Sequence, residues 1–373
     1  MEGSHTIRLF SKRNKYRLKE EEVQGSILGK FGDRPIVRRL VVSGYFVKPY
    51  KFRGFVGIPL RGAFGVALKR IYCRYKRFRA RDCKLCRERY SCGFYYLFET
   101  RVDIIPEHLR KIARKYRRIT NPFTLDPPIN LSGGGFSFAV NLIGPRAFRE
   151  ELQVIKALIL MSEMGIGYDK VIGEKRKFRL LRIDAVNPLT GYSTRVFDEG
   201  GYRIESLDDM KAYITTTDLF YKASSLAESQ GKVLTLKFKT PVMLTYGGEP
   251  VLAIEVHHLI RNLVRKLSII LNYHFEMDPL RAEEAKEIIK VAMLLKPQLL
   301  DFRSIYLRRF SMKRQRWEKY GPFVRGISVN RIPEGFWDQP RAVDVIGLLI
   351  LGLFLHAGKF TSAGCGIYDM RIV

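Results

Sequence analysis

Twice along this chain an apolar helical stripe runs into a glycine-punctuated loop and a closing strand, and that repeated ending limits the folds open to it. In the first half Leu152, Ile155, Leu158 and Ile159 recur at helical spacing, followed by Gly165, Gly167 and Gly173 and a strand over 177–183. In the second half the apolar run 345–357 leads to Gly358, Gly364 and Gly366 and a terminal strand from Ile367. What precedes each ending also matches in outline. A strand over 36–45 is followed by a helix carrying Phe64, Leu68 and Ile71. The prolines Pro122, Pro127 and Pro128 make 121–128 an extended connection, and Phe136, Phe138 and Val140 alternate as a strand. Later, 232–238 reads as a strand ended by Thr240-Pro241, Val256, Leu259, Leu263, Leu267 and Ile270 as a helix, and 324–329 as a strand. Two such βαββαβ-like units predict an α+β chain of two tandem ferredoxin-like (RRM-like) domains. The first covers 1–195 and the second 232–373. Between them 196–231 is polar and acidic, with Asp198, Glu199, Asp208 and Asp209 around Gly200 and Gly201, and reads as a linker.

The 66 lysines and arginines exceed the 37 acidic residues by 29, a surplus that repels itself unless it meets a polyanion. Thermophile surfaces interleave both signs, so a merely solvated basic surface explains the imbalance less well. Nucleic acid is the expected partner. The run 345–357 falls short of the roughly 20 residues a membrane span requires and predicts a buried helix, so no membrane partner is expected. The amino terminus lacks the apolar core of a secretory signal, which predicts a cytoplasmic protein with reduced thiols.

Cys73, Cys83, Cys86 and Cys92 follow the spacing Cys-x9-Cys-x2-Cys-x5-Cys. Four thiolates so close suit a structural zinc in a cysteine-rich insertion over 73–92 of the first domain. An iron–sulfur cluster uses the same ligands, and unligated thiols or disulfides are the plainer alternatives. Between these cysteines Arg77, Arg79 and Arg81 alternate with aromatic residues, a mixture that offers guanidinium groups to phosphates and ring faces to unstacked bases. A second mixed patch contains Arg303, Tyr306, Arg308, Arg309, Lys313, Arg314, Arg316 and Trp317. His257, Arg261 and Arg265 share one helical face, either a track for an RNA backbone or a solvated surface.

The carboxy-terminal loop has its own chemistry. Gly358, Gly364 and Gly366 allow backbone amides to turn toward an anion, with Lys359, Thr361 and Ser362 as further donors. The alternative is a tight helix-to-strand turn. The pattern His356-x-Gly358-Lys359-x-Thr361-x-x-Gly364-x-Gly366-x-Tyr368 resembles the glycine-rich loop that ends the CRISPR repeat-RNA processing endoribonucleases (Cas six) of the RAMP superfamily. Arg265, Arg309, Ser311, Arg314 and Gly326, the stretch from Leu60 through Arg61 to Gly65, the four cysteines, Leu97-Phe98-Glu99 and Asn121-Pro122-Phe123 are similar too.

The resemblance implies a metal-independent cut, with no catalytic metal, in which the ribose 2′-hydroxyl attacks the adjacent phosphate. That step needs a base, an acid and a cation. His356 and Lys359 are the expected pair, with Tyr50 as a further polar group, although a histidine ending a helix can simply cap carbonyls. Many members of the family carry a histidine near the first domain's leading helix. Here 60–72 has none, only Tyr45, Tyr50 and Arg61 nearby. Two outcomes follow: a nuclease with a rebuilt site, or a catalytically inactive RNA-binding subunit. A zinc-containing nucleic-acid-binding module is the reading without the resemblance. The implied partners are repeat RNA, other CRISPR effector subunits and a second copy in a homodimer.

Overall fold

The computed structural model describes residues 23, 25–48, 54–75, 82–101, 119–128, 135–169, 173–203, 206–311 and 316–373, with the side chains of 169 and 309–311 excepted. Tyr50, Arg77, Arg79, Arg81 and Arg314, all expected at the RNA site, lie outside the described residues.

The first half begins with β1 (Pro35–Phe46), whose alternation buries Leu40 and Val42, and α1 (Gly57–Tyr72), which buries Leu60, Ala63, Phe64, Ala67 and Leu68 at helical spacing. Then come β2 (Phe123–Asp126), β3 (Gly135–Ile143), α2 (Glu151–Met164), β4 (Ile166–Asp169), β5 (Glu174–Arg176), β6 (Phe178–Asn187), β7 (Tyr192–Asp198) and β8 (Gly201–Tyr202). The sheet runs β2-β3-β1-β6-β7-β8 with antiparallel pairing, and both helices pack over a core of Leu40, Val42, Phe64, Leu68, Val154, Leu158 and Ile183.

The described residues of the stretch 196–231, expected as a linker, are folded. The stretch completes β7, forms β8, adds β9 (Tyr213–Thr215) against β1, and continues as α3 (Thr216–Glu228), started by a Thr215–Asp218 capping box. Its acidic residues misled the reading because they have specific partners. Asp218 receives bonds from Thr215 and Asn187, and Asp209 receives one from Tyr192 at 2.5 Å. The buried Arg38 ties the same stretch down by donating to the carbonyls of Ser206, Leu207 and Asp209 while pairing with Glu151 at 3.1 Å.

The second half contains β10 (Val233–Phe238), the short hairpin β11 (Thr245–Tyr246) and β12 (Glu249–Pro250), α4 (Val256–His274), α5 (Ala282–Ala292), the long strands β13 (Lys296–Ser311) and β14 (Arg316–Arg331), α6 (Ala342–Leu355) and β15 (Tyr368–Ile372). Its antiparallel sheet runs β13-β14-β10-β15. With the short hairpins β4–β5 and β11–β12 left out of the count, β2-β3-β1-β6 and β13-β14-β10-β15 share one order, 2-3-1-4. Mixed α+β architecture with antiparallel sheets is therefore present in both halves. α6 is buried on nearly every side, and its core joins Leu234, Leu263 and Leu348 to Ile27, Leu28, Phe31 and Ile36 of the first half. Among the described residues no helix is long and apolar enough to cross a membrane.

Candidate nucleic-acid interface

The loop from His356 to Tyr368 is wedged between the two halves, and its packing explains its glycines. A Cβ on Gly366 would stand 1.9 Å from the Ala357 carbonyl oxygen, one on Gly358 2.2 Å from that of Met243, and one on Gly364 2.2 Å from the Pro127 ring. All three also have positive φ. The amides are used inside the protein. Gly358 donates to Asn262 Oδ1 and Lys359 to the Met243 carbonyl, while Gly364, Cys365 and Gly366 donate to the carbonyls of Thr361, Phe360 and Pro241. Thr361, Ser362, Gly364 and Gly366 are buried. The expected phosphate cradle of amides is thus a tight structural turn, and Lys359 and Phe360 are the part of it that reaches solvent.

His356 is completely buried, and its Nε2 donates to Asp126 Oδ1 across 2.8 Å. A group so enclosed cannot touch a polymer, which corrects its expected place at the RNA. Asp126 also accepts from Arg39 at 2.7 Å and from Asn141 at 3.0 Å. Burial alone would raise the Asp126 carboxyl, but the Arg39 and His356 charges hold it well below the usual carboxylate range. Lys266, buried on α4, closes the same joint by donating to the carbonyls of Leu355 and His356 at 3.0 and 2.6 Å, and burial first, then Arg265, brings its pKa down to about 7. Sequence reading missed Asp126, Arg39 and Lys266 because their partners are distant along the chain.

Arg61, expected to meet RNA, reaches the loop instead. Its Nε donates to Ser362 Oγ at 2.9 Å and its guanidinium lies 4.0 Å from the centre of the Phe98 ring. A small apolar cluster of Leu307, Phe323 and Cys365, joined by Phe55, Ile58, Met243 and Tyr320, fastens α1, the glycine loop and the foot of the β13–β14 hairpin together. Phe360 packs against Tyr320 and Phe323 there.

The second mixed patch is that hairpin. Register pairs Arg308 with Lys319, and Tyr306 lies at the register shift just before them. Tyr306 is 51% exposed and Trp317 64%, and Lys319 Nζ sits 3.9 Å from the Tyr306 ring centre. Exposed rings with interleaved cations can stack bases and meet phosphates.

At the head of α4, His257 and His258 lie side by side with ring centres 3.9 Å apart and planes tilted by 39°. His257 Nδ1 is 3.4 Å from Glu255 Oε2, and His258 Nδ1 accepts the Glu255 N–H at 3.3 Å. Arg261 covers the Tyr246 ring at 5.1 Å, while Arg265 is exposed farther along the helix. Burial first, then neighbouring cations, lowers the affinity of both imidazoles for a proton.

The four cysteines line one cavity of about 410 Å³ together with Lys69, Arg74 and Arg89. Burial pushes the Cys83 and Cys92 thiols up, with Lys69 opposing it at Cys83.

The family model described as CRISPR-associated endoribonuclease Cas6 matches residues 236–368, and a model described as an N-terminal domain matches 37–209. No curated protein matches the chain. Among solved structures, the chain is similar to a Cas6 from Thermus thermophilus at 15% identity and a TM-score of 0.46, covering 91% of this chain and 100% of that one. It shares its fold, at 11% identity and a TM-score of 0.53, with a chain of a partial Cas6-RT-Cas1–Cas2 complex, covering 92% of this chain and 47% of that one.

Proposed function

Because the chain belongs to the CRISPR-associated endoribonuclease Cas6 family, we propose that it binds CRISPR repeat RNA and cuts it by attack of a ribose 2′-hydroxyl on the adjacent phosphate, without a catalytic metal. In this reading each half is a ferredoxin-like unit, and RNA lies where α1, the solvent-facing Lys359 and Phe360, and the β13–β14 hairpin converge. That convergence, on a chain with a formal charge of +29, is the observation that carries the proposal. The charge supplies long-range attraction to phosphates, and Tyr306 and Trp317 supply surfaces for unpaired bases. The expected proton-transfer group His356 is a strut in this arrangement, which favours a second reading in which the chain holds RNA without cutting it. Labelled repeat RNA in EDTA separates the two. One discrete cut supports the nuclease, and tight binding with intact RNA supports the holding subunit. Other CRISPR effector subunits are the further partners of either reading, and a homodimer is a proposal that light scattering decides.

Residue type and spacing, rather than gathered sulfurs, support a structural zinc at the cysteine cavity: among the described residues the donor atoms lying within 4.8 Å of one another are those of Glu255, His257 and His258. Cys73, Cys83, Cys86 and Cys92 would hold it, and Lys69, Arg74 and Arg89 around them offset the negative charge of a tetrathiolate centre. Bound there, the ion would fix the short loops of a segment too small to bury a core. One zinc per chain in native mass spectrometry, lost in Cys86→Ser, is the expected result; iron with visible absorption identifies a cluster instead.

A further inference from the structure

We propose that His257, held by Glu255 at the head of α4, is the residue that moves the proton in the RNA cut, an assignment that rests on the nuclease reading above. Three observations converge on it. First, the partners define the ring. Nδ1–H faces the Glu255 carboxylate at 3.4 Å, which leaves the lone pair on Nε2, and a carboxylate that orients an imidazole in this way also stabilises the imidazolium once it forms. Second, the group is accessible. The His257 side chain is 18% exposed, whereas His356 is fully enclosed and His274, which also sits in this half, is buried. Third, the place is right. His258 and Asn262 lie one turn apart on α4, and Asn262 receives the Gly358 N–H at 2.8 Å, which ties the head of α4 to the start of the glycine loop.

The groups facing His257 are Glu255, His258, Tyr246, Arg261 and Lys296. Arg261 and Lys296 favour an anion at this spot and disfavour a cation, which suits a phosphodiester. Burial first, then these two cations, outweighs the Glu255 charge and lowers the ring's affinity for a proton, which favours the neutral form a base requires. In the step itself Nε2 takes the proton of the 2′-hydroxyl, the 2′-oxygen bonds to phosphorus, and the bond from phosphorus to the 5′-oxygen breaks. The imidazolium returns its proton to that departing oxygen. The products are a 2′,3′-cyclic phosphate and a 5′-hydroxyl, with no water consumed and no other reactant needed.

The same three side chains could be read as metal ligands, since donor atoms of Glu255, His257 and His258 all lie within 4.8 Å of one another. The test separates the two. The parent chain, His257→Ala, His258→Ala and Glu255→Gln are incubated with labelled repeat RNA in EDTA, with melting temperature and RNA affinity measured beside the cutting rate. His257→Ala is expected to slow cutting by at least about 100-fold, the usual worth of a positioned base, with affinity and melting unchanged and partial rescue by free imidazole. Glu255→Gln, which keeps the helix cap, is expected to slow it less and to shift the pH profile. Cutting by His257→Ala at the parent's rate overturns the assignment while leaving the nuclease reading intact. Cutting by the parent that stops in EDTA and returns with zinc overturns it in favour of a metal site. A parent that binds repeat RNA and never cuts overturns both readings.

Discussion

His356 Nε2 and Asp126 Oδ1, 2.8 Å apart, join the end of α6 in the second half to the end of β2 in the first. The bond sits beside Thr124, whose hydroxyl donates to the Phe354 carbonyl at 2.6 Å, so two consecutive inward side chains of β2 grip the same helix end. This joint fixes where the glycine loop begins.

Breaking it should cost stability before it costs chemistry. His356→Ala leaves a buried carboxylate with one hydrogen-bond donor fewer, and a loss of roughly 1–3 kcal/mol is expected from removing that partner. Urea unfolding measures it. The folded Asp126 carboxyl lies below its unfolded value of about 3.9, so its contribution is present above that pH and fades as acid is added below it. In His356→Ala this acid-dependent loss should be smaller and should level off at a higher pH.

His274 supplies a second pH signature with the same sign from the opposite chemistry. It is buried, donates from Nε2 to the Thr120 carbonyl at 2.8 Å and accepts the Tyr96 hydroxyl on Nδ1 at 3.2 Å, and burial brings its pKa down to about 4. The unfolded chain binds the proton first, so stability should fall as pH drops from about 6.5 toward 4, by up to about 3 kcal/mol. Thermal unfolding across that window, flattened in His274→Phe, checks this.

Glycines divide by what surrounds them. Gly366→Ala drives a Cβ to 1.9 Å from a backbone oxygen at positive φ, and a loss of 2 kcal/mol or more, of order the strain at such sites, is expected. Gly62→Ala, within α1 and with nothing within 4 Å of the new atom, should gain roughly 0.5–1 kcal/mol. Chemical denaturation of the two variants beside the parent is the measurement.

Much of the fold was legible in local patterns. The strand expected at 36–45 is β1, the helix from Leu60 is most of α1, and the stripe from Val256 to Ile270 is α4, because apolar spacing reports directly which face is buried. Phe123–Asp126 was legible only as extended chain; its pairing with β3 depends on residues that far-off neighbours supply. The stretch 196–231 was misread because Asp209 and Asp218 look solvated until Tyr192, Thr215 and Asn187 are placed beside them. The glycine loop shows the same limit: its glycines were visible, but that Met243, Pro241 and Asn262 would take its amides was not. His257 was visible on a basic stripe, yet nothing local showed Glu255 set against its ring.

The hairpin should contribute to RNA affinity separately from cutting. Trp317→Ala together with Lys319→Ala is expected to weaken single-stranded RNA binding by about tenfold or more, with stacking on one ring worth roughly 1–3 kcal/mol. Loss of the lysine should also flatten the dependence of affinity on salt by about one unit of slope or less. Fluorescence anisotropy at several salt concentrations reads both effects.

The source of the attacking oxygen decides the chemistry of the cut. Repeat RNA carrying a single 2′-deoxy nucleotide just before the cut should bind as tightly as the all-ribose strand and remain whole, while the all-ribose strand yields a 2′,3′-cyclic phosphate and a 5′-hydroxyl by mass spectrometry. Cleavage of the deoxy-substituted strand at the same bond, or a product bearing a 5′-phosphate, contradicts attack by the ribose 2′-hydroxyl.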